Sequence, residues 1–184
     1  SGQTFALNGF PDDYLGFLGG YPLVGRPDSV VAYLNYYVEA GDSAFMLIFL
    51  KKDGQIISNN MIPITGNSGG IFKRFAHKLD NTSSLAADSI ISGFASTNLF
   101  SGYSRFTNNY LIIDDIILNP GNLTFANSNF EAWFPQVIEN PRGWFYIKYI
   151  GLDDNPSTKH MVSKAYFNAP QDYAAEINTI TFNT

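Results

Sequence analysis

The chain contains no cysteine. That excludes disulfides, iron–sulfur clusters, thiolate zinc sites and cysteine nucleophiles. It leaves the redox compartment open. Histidine is nearly as scarce, with only His77 and His160. A multi-histidine metal centre is close to excluded, and a Ser-His-Asp triad would have to use one of those two. Charge is sparse as well, at 15 % of residues, with 11 Lys and Arg against 16 Asp and Glu. A net charge of −5 and a pI near 4.8 make a poor nucleic-acid or anionic-membrane binder. No apolar run approaches the roughly 18 residues of a membrane span, so no membrane insertion is expected. No basic-then-apolar leader opens the sequence.

What the chain has instead is apolar and aromatic mass. Hydrophobic residues make up 45 % of 184 residues, with 16 Phe and 11 Tyr. This is enough to build one sizeable core, and the expectation is a single domain over 1–184. Gly, Pro, Asn, Ser and Thr punctuate apolar runs of four to eight residues, the signature of strands and turns. In Ser29–Val38, Val30, Ala32, Leu34, Tyr36 and Val38 share one face, and Tyr33, Asn35 and Tyr37 the other. That period of two reads as a half-buried strand. Ala44–Leu50 is apolar throughout, as in a central strand. Asp53-Gly54 then signals a hairpin, with Gln55–Ile64 returning. Ile71–Leu79, Tyr110–Leu118 and Trp144–Ile150 read as further strands, and Ser83–Ser92 as the one short helix. The expected fold is all-β, a jelly-roll β-sandwich of two antiparallel sheets, with a barrel as the alternative.

Two local patterns carry chemistry. In Tyr110–Leu118, Asp114 and Asp115 stand side by side inside an apolar strand. One carboxylate then points to each face, and an inward one is costly without a partner. Two readings stand: a solvated strand end, or a hard cation such as calcium held by carboxylate and carbonyl oxygens. The other pattern is Asn129-Phe130-Glu131-x-Trp133, followed by Pro141-x-Gly143-Trp144.

These stretches resemble calcium-binding, galactose-binding-like carbohydrate-binding modules. The Asn129–Trp133 and Pro141–Trp144 motif resembles their opening strand, and the Asp114-Asp115 strand their last. Gly25–Tyr37 with Gly41–Ala44, and Tyr173–Thr179, resemble stretches of a carbohydrate metabolism domain common in secreted and surface proteins of Bacteroidetes. The resemblance implies a structural Ca2+ held by Glu131, Asp114 and Asp115, with Asn129 offering a further oxygen. It also implies a secreted or cell-surface setting. The motif order is permuted: residues 1–118 match the later part of the family pattern and 119–184 the earlier part. A circularly permuted module and a slice through a tandem array both fit. Either ends as one complete sandwich, formed by a monomer or by a strand-swapped homo-oligomer.

A glycan site needs flat aromatic faces and planar polar groups. Tyr33, Asn35 and Tyr37 offer such a platform unless a loop or second layer packs over them. Tyr14, Phe17, Tyr21 and Arg26 lie in or beside the Gly-rich LGFLGGYPLVGR, either as a binding rim or as a flap closing the sandwich. Trp133 and Trp144 read as core. Asp153-Asp154-Asn155 reads as a solvated turn, and His77 and His160 as surface histidines.

The leading expectation is a non-catalytic carbohydrate-binding or cell-surface attachment module. A structural or adhesin spacer without a ligand is the alternative. A jelly-roll glycoside hydrolase or polysaccharide lyase fits less well. No Glu-x-Asp-x-Glu run supplies paired carboxylates. The Arg-rich and Gln-Ile-His strands of jelly-roll lyases are missing, and YFNAPQDY at 166–173 resembles a lyase strand only faintly.

Overall fold

A computed structural model describes residues 4–7, 10–11, 17–18, 20–80, 83–98, 108–120, 123, 127–132, 145–148, 162–166 and 173–178. In chain order the strands are β1 (Thr4–Leu7), β2 (Phe10–Pro11), β3 (Phe17–Leu18), β4 (Tyr21–Gly25), β5 (Ser29–Tyr37), β6 (Ala44–Lys52) and β7 (Gln55–Ile64). Then come β8 (Lys73–Lys78), β9 (Ala87–Ala95), β10 (Tyr110–Asn119), β11 (Phe145–Lys148), β12 (Val162–Tyr166) and β13 (Tyr173–Asn178). No helix long and apolar enough to cross a membrane occurs among the described residues.

The strands form an antiparallel β-sandwich. One sheet runs β11-β1-β9-β6-β7, with β4 paired to β9 beyond the end of β1. The other runs β12-β13-β10-β5-β8. The chain crosses between the sheets after β4, β5, β7, β8, β9, β10 and β11. Both parts of the chain enter both sheets. β11 joins β1 in one, and β13 joins β10 in the other.

Alternation in β5 builds one wall of the core. Val30, Ala32, Leu34 and Val38 are buried, while Tyr33, Asn35 and Tyr37 lie half-buried on the outer face. Across the gap, Met46, Ile48 and Leu50 of β6 and Ile90 and Phe94 of β9 meet them in one cluster. Each such side chain stabilises by ~1.5–3 kcal/mol relative to exposure. β6 is apolar on both faces because it is internal. Its outer residues Leu47 and Phe49 are buried too, with Ile91 of β9.

The stretch 83–92 is not a helix. From Ala87 it is β9, paired with β6, β1 and β4 at once. Local Ala and Ser content permits a helix, but Ile90, Ile91 and Phe94 are buried only as a central strand. Tertiary pairing outweighs the weak propensity.

Polar clamps close the ends and edges. At one end, the buried Asp42 carboxylate accepts from Ser43 N (2.8 Å) and Asn98 N (3.1 Å) at Oδ1. At Oδ2 it accepts from Asn109 Nδ2 (2.7 Å) and the Thr97 hydroxyl. Asn109 Oδ1 in turn accepts from Glu39 N (2.8 Å). This joins the β5–β6 turn, the end of β9 and the start of β10. Along the open edge, buried Asn60 of β7 accepts from Asp80 N (2.6 Å), just past β8, and donates to Ser58 Oγ (2.8 Å). That ties the edge strand of one sheet to the edge of the other. At the hairpin tip, Asp53 N donates to Asp88 (2.8 Å), with Ser89 and Lys52 adding weaker contacts. The amide is the chief reason that the Asp88 carboxyl lies below its ordinary range.

Replacing Asp42 by Ala removes the acceptor of the buried Thr97 hydroxyl and Asn109 amide. Unpaired buried donors cost ~1–3 kcal/mol each, so the expected loss of unfolding free energy in urea titration is about 2–4 kcal/mol. A loss under about 0.5 kcal/mol would show that the network is dispensable.

Candidate functional site

The outer face of the five-stranded sheet carries two of the aromatic positions expected from the sequence, Tyr33 and Tyr37, together with Asn35. Cross-strand register sets three rows. Arg74, Tyr33 and Asp114 share the first, on β8, β5 and β10. Asn35, Ile112 and Glu176 share the second, and Tyr37, Tyr110 and Asn178 the third. The rings of Tyr37 and Tyr110 stack at 6.5 Å with 24° between planes. Tyr110 was not singled out from the sequence. It is visible only once β10 is registered against β5, because the two residues lie 73 positions apart in a pairing that no local pattern encodes.

Asn35 is anchored rather than open. Its Nδ2 donates to Gly70 O (3.1 Å), and its Oδ1 accepts from Ser68 Oγ (2.8 Å) and Tyr110 Oη (3.4 Å). The loop 65–72 therefore lies against the C-terminal half of β5, where β8 no longer pairs. Val38 N donates to Gly66 O (2.8 Å), Ser68 N to Tyr36 O (2.9 Å), and Tyr36 N to Ser68 Oγ (3.0 Å). Gly66, Gly69 and Gly70 all take positive φ, which lets this GNSGG segment fold flat onto the strand.

The remaining expected site residues are dispersed. Tyr21 is on β4 of the other sheet and packs against the core, away from the Tyr33 face. Arg26 is exposed at the end of the sandwich opposite Asp42. There it lines a cleft of about 450 Å³ with Asp28, Lys78, Leu79, Asp80 and Pro120. His77 is exposed on β8. Tyr14, Trp133, Trp144, Asp153–Asn155 and His160 lie outside the described residues, as does the side chain of Phe17.

The Asp114-Asp115 pair sits on a β-bulge, which changes the simple one-to-each-face picture. Asp114 is opposite Tyr33, but Ile117 is opposite Val31, so β10 carries one extra residue here. Asp115 takes φ 47°, and Asp is among the few residues that tolerate this left-handed conformation. The bulge switches the inward positions from Leu111 and Ile113 to Ile116 and Leu118, so Asp115 stays out of the core. Asp114 is only 1 % exposed, and its Oδ1 accepts from Asp115 N (2.8 Å).

The Asn129-Phe130-Glu131 segment packs directly beside this bulge. Ile116 N donates to Ser128 O (2.9 Å), and Asn127 pairs both its amide atoms with the backbone of Ala132. The turn drives Phe130 into the core at 2 % exposure, despite φ 52°. Burying that ring, worth ~1.5–3 kcal/mol, offsets a left-handed backbone costing ~1–3 kcal/mol. Glu131 is half-buried and Asn129 exposed. Among the described residues, no three Asp, Glu or His side chains gather as a metal-holding group. A calcium ion here would have to combine one or two of these carboxylates with main-chain oxygens of the turn and water.

Comparison of the chain with protein-family models, with curated proteins and with solved structures finds no match.

Asn35→Ala removes the side chain that holds the loop 65–72. The amides of Val38 and Ser68 are expected to exchange with solvent about fivefold faster, the equivalent of ~1 kcal/mol, while core amides of β6 and β9 keep their protection. Unchanged exchange at both would show that the loop is held by its backbone bonds alone.

Proposed function

We propose that this chain is a non-catalytic glycan-binding or surface-attachment module that works outside the cell or on its surface. It presents Tyr33, Tyr37 and Tyr110 to sugar rings. The observation that carries this reading is the outer face of the five-stranded sheet. There a stacked tyrosine pair and a third tyrosine four residues along the same strand stand on a rigid, paired backbone. Residues i and i+4 of a strand are ~13 Å apart, so the two aromatic positions would meet different sugars of one chain. Apolar ring faces stack on tyrosine, and tyrosine hydroxyls bond to sugar hydroxyls at the ring margins. Catalysis finds less support. Among the described residues, the carboxylates that share a row with these aromatic positions are a buried Asp114 and a half-buried Glu176 on different strands, not an open facing pair.

A structural Ca2+ at the junction of the Asp114-Asp115 bulge and the 127–132 turn belongs to the same proposal. Its support is the backbone bond from Ile116 to Ser128, which holds the two halves of the motif side by side. In this role the ion binds no sugar and does no chemistry. It pins the turn that carries Phe130.

Affinity electrophoresis through gels containing soluble polysaccharides, neutral and acidic, tests the binding reading. The wild-type chain is expected to be retarded by at least one polymer, and Tyr33→Ala/Tyr37→Ala to bind it about tenfold or more weakly, equivalent to ~1.4 kcal/mol. Failure to bind any of the polymers would make the ligand-free spacer the better reading.

Thermal unfolding tests the ion. With calcium at a hundredfold excess over Kd, the melting temperature is expected to rise by about 5–10 °C, corresponding to ~2.7 kcal/mol. Glu131→Gln and excess chelator should both abolish the rise. No rise, together with a metal-free protein by elemental analysis, would remove calcium from the proposal.

A further inference from the structure

The protein is acidic, yet its strand β8 is basic. β8 reads Lys73-Arg74-Phe75-Ala76-His77-Lys78, with three of the chain's 11 Lys and Arg and no acidic residue. None of these cations faces an acid across the ladder. Lys73, Arg74 and Lys78 pair with Leu34, Tyr33 and Ser29. All three are exposed, and none forms an ion pair among the described residues. Arg74 and Lys78 share the outer face, ~13 Å apart along the strand. Arg74 stands directly opposite Tyr33, a distance of ~5 Å between Cβ atoms for a cross-strand pair. At its Lys78 end the strip runs into the cleft that Arg26 lines, where Asp28 and Asp80 are also present.

We propose that the ligand of this face is an acidic glycan, one whose sugars carry carboxylate or sulfate groups, lying along β8 and β5. The inference rests on the glycan-binding reading above and narrows it to a ligand class. Arg74 offers a fork of donors matched to a carboxylate or sulfate beside the ring that stacks on Tyr33. Lys78 meets a second acidic group further along, and Asp28 and Asp80 accept sugar hydroxyls in the cleft. A neutral glycan leaves these cations unused. A nucleic acid offers evenly repeated phosphates and would be repelled by the net charge of −5 beyond the strip.

Edge cations also keep sheet edges from pairing with other chains, so the test separates the two roles. Binding is measured for polygalacturonate, for the same polymer fully methyl-esterified, for dextran and for dextran sulfate, with single-stranded DNA as the polyanion control. The expected result is at least about tenfold tighter binding of one acidic polymer than of its neutral counterpart. Whether the carboxylate or the sulfate pair shows the difference identifies the acidic group. Raising NaCl from about 50 to about 300 mM should weaken that binding several-fold. Arg74→Gln/Lys78→Gln, checked for an unchanged melting temperature, should abolish the preference for the acidic polymer. Equal binding of neutral and acidic polymers overturns the inference while leaving the glycan reading intact, and binding to none of the polymers defeats both. Tighter binding to DNA than to either acidic polymer also overturns it. So does a double variant that aggregates more readily by light scattering but keeps the preference, which would assign the cations to edge protection alone.

Discussion

The carboxylate of Asp42 is the point on which the geometry of the outer face depends. Strands within each sheet are joined by backbone ladders, but the core between the sheets acts through apolar packing, which is non-directional. Direction has to come from groups at the ends. Asp42 supplies it by receiving hydrogen bonds from the end of β9 and from Asn109, the residue immediately before β10. Asn109 also receives the amide of Glu39 at the end of β5. The start of β10 is thereby held against the end of β5, which places Tyr110 opposite Tyr37. A one-residue slip of β10 would turn Tyr110 inward and Leu111 outward. The aromatic pair thus rests on a buried polar network one residue away.

The same solution recurs on β7. There Ser58 and Asn60 point inward and are buried, while Met61, beside them, points out at 48 % exposure. Binary patterning would place these residues the other way round. The exchange makes sense because β7 is an edge strand over the mouth of the sandwich. An inward Asn can reach the chain just past β8, and its amide bonds to Asp80 join the two sheets where apolar contact alone would leave the edge open. The Asn60 clamp uses neutral donors and acceptors, so it does not depend strongly on ionic strength, whereas the Asp42 clamp is built on a buried carboxylate.

These clamps mark the boundary of what the sequence discloses. The β5 alternation, the apolar β6, the Asp53-Gly54 hairpin and the extent of β7 are local patterns, and each is visible without knowing its partner strand. The β9 segment is not, because its strand character comes from neighbours on both sides. The bulge in LIIDDIIL is half visible. Two adjacent Asp in a strand signal a conflict, but only the observed register reveals that Asp115 resolves it by a left-handed backbone. The anchoring of Asn35 is not visible locally: nothing in GNSGG says which strand the loop lies on. Asp42 and Asn109 could have been found from one signal, polar residues with short side chains abutting the termini of apolar strands, as end clamps require.

Anchoring Asn35 also bears on what the face can do. A loop pinned to β5 by side-chain and backbone bonds, beside a stacked tyrosine pair, loses little further freedom when a ligand settles on it. Ordering mobile side chains on binding costs ~0.5–1.5 kcal/mol each, and weak ligands such as sugars cannot offset many such terms. A tyrosine needs only two torsions fixed, and here the stack already restricts them for Tyr37 and Tyr110. The cations of β8 are different, because long side chains on an exposed edge stay free until something holds them. A neutral ligand gains from the rigid half of the face alone. An acidic one adds charge-assisted bonds strong enough to offset ordering Arg74 and Lys78. On the proposed reading, a face divided into an aromatic half ordered by its stack and a half of exposed cations suits a ligand that brings ring surface and negative charge together.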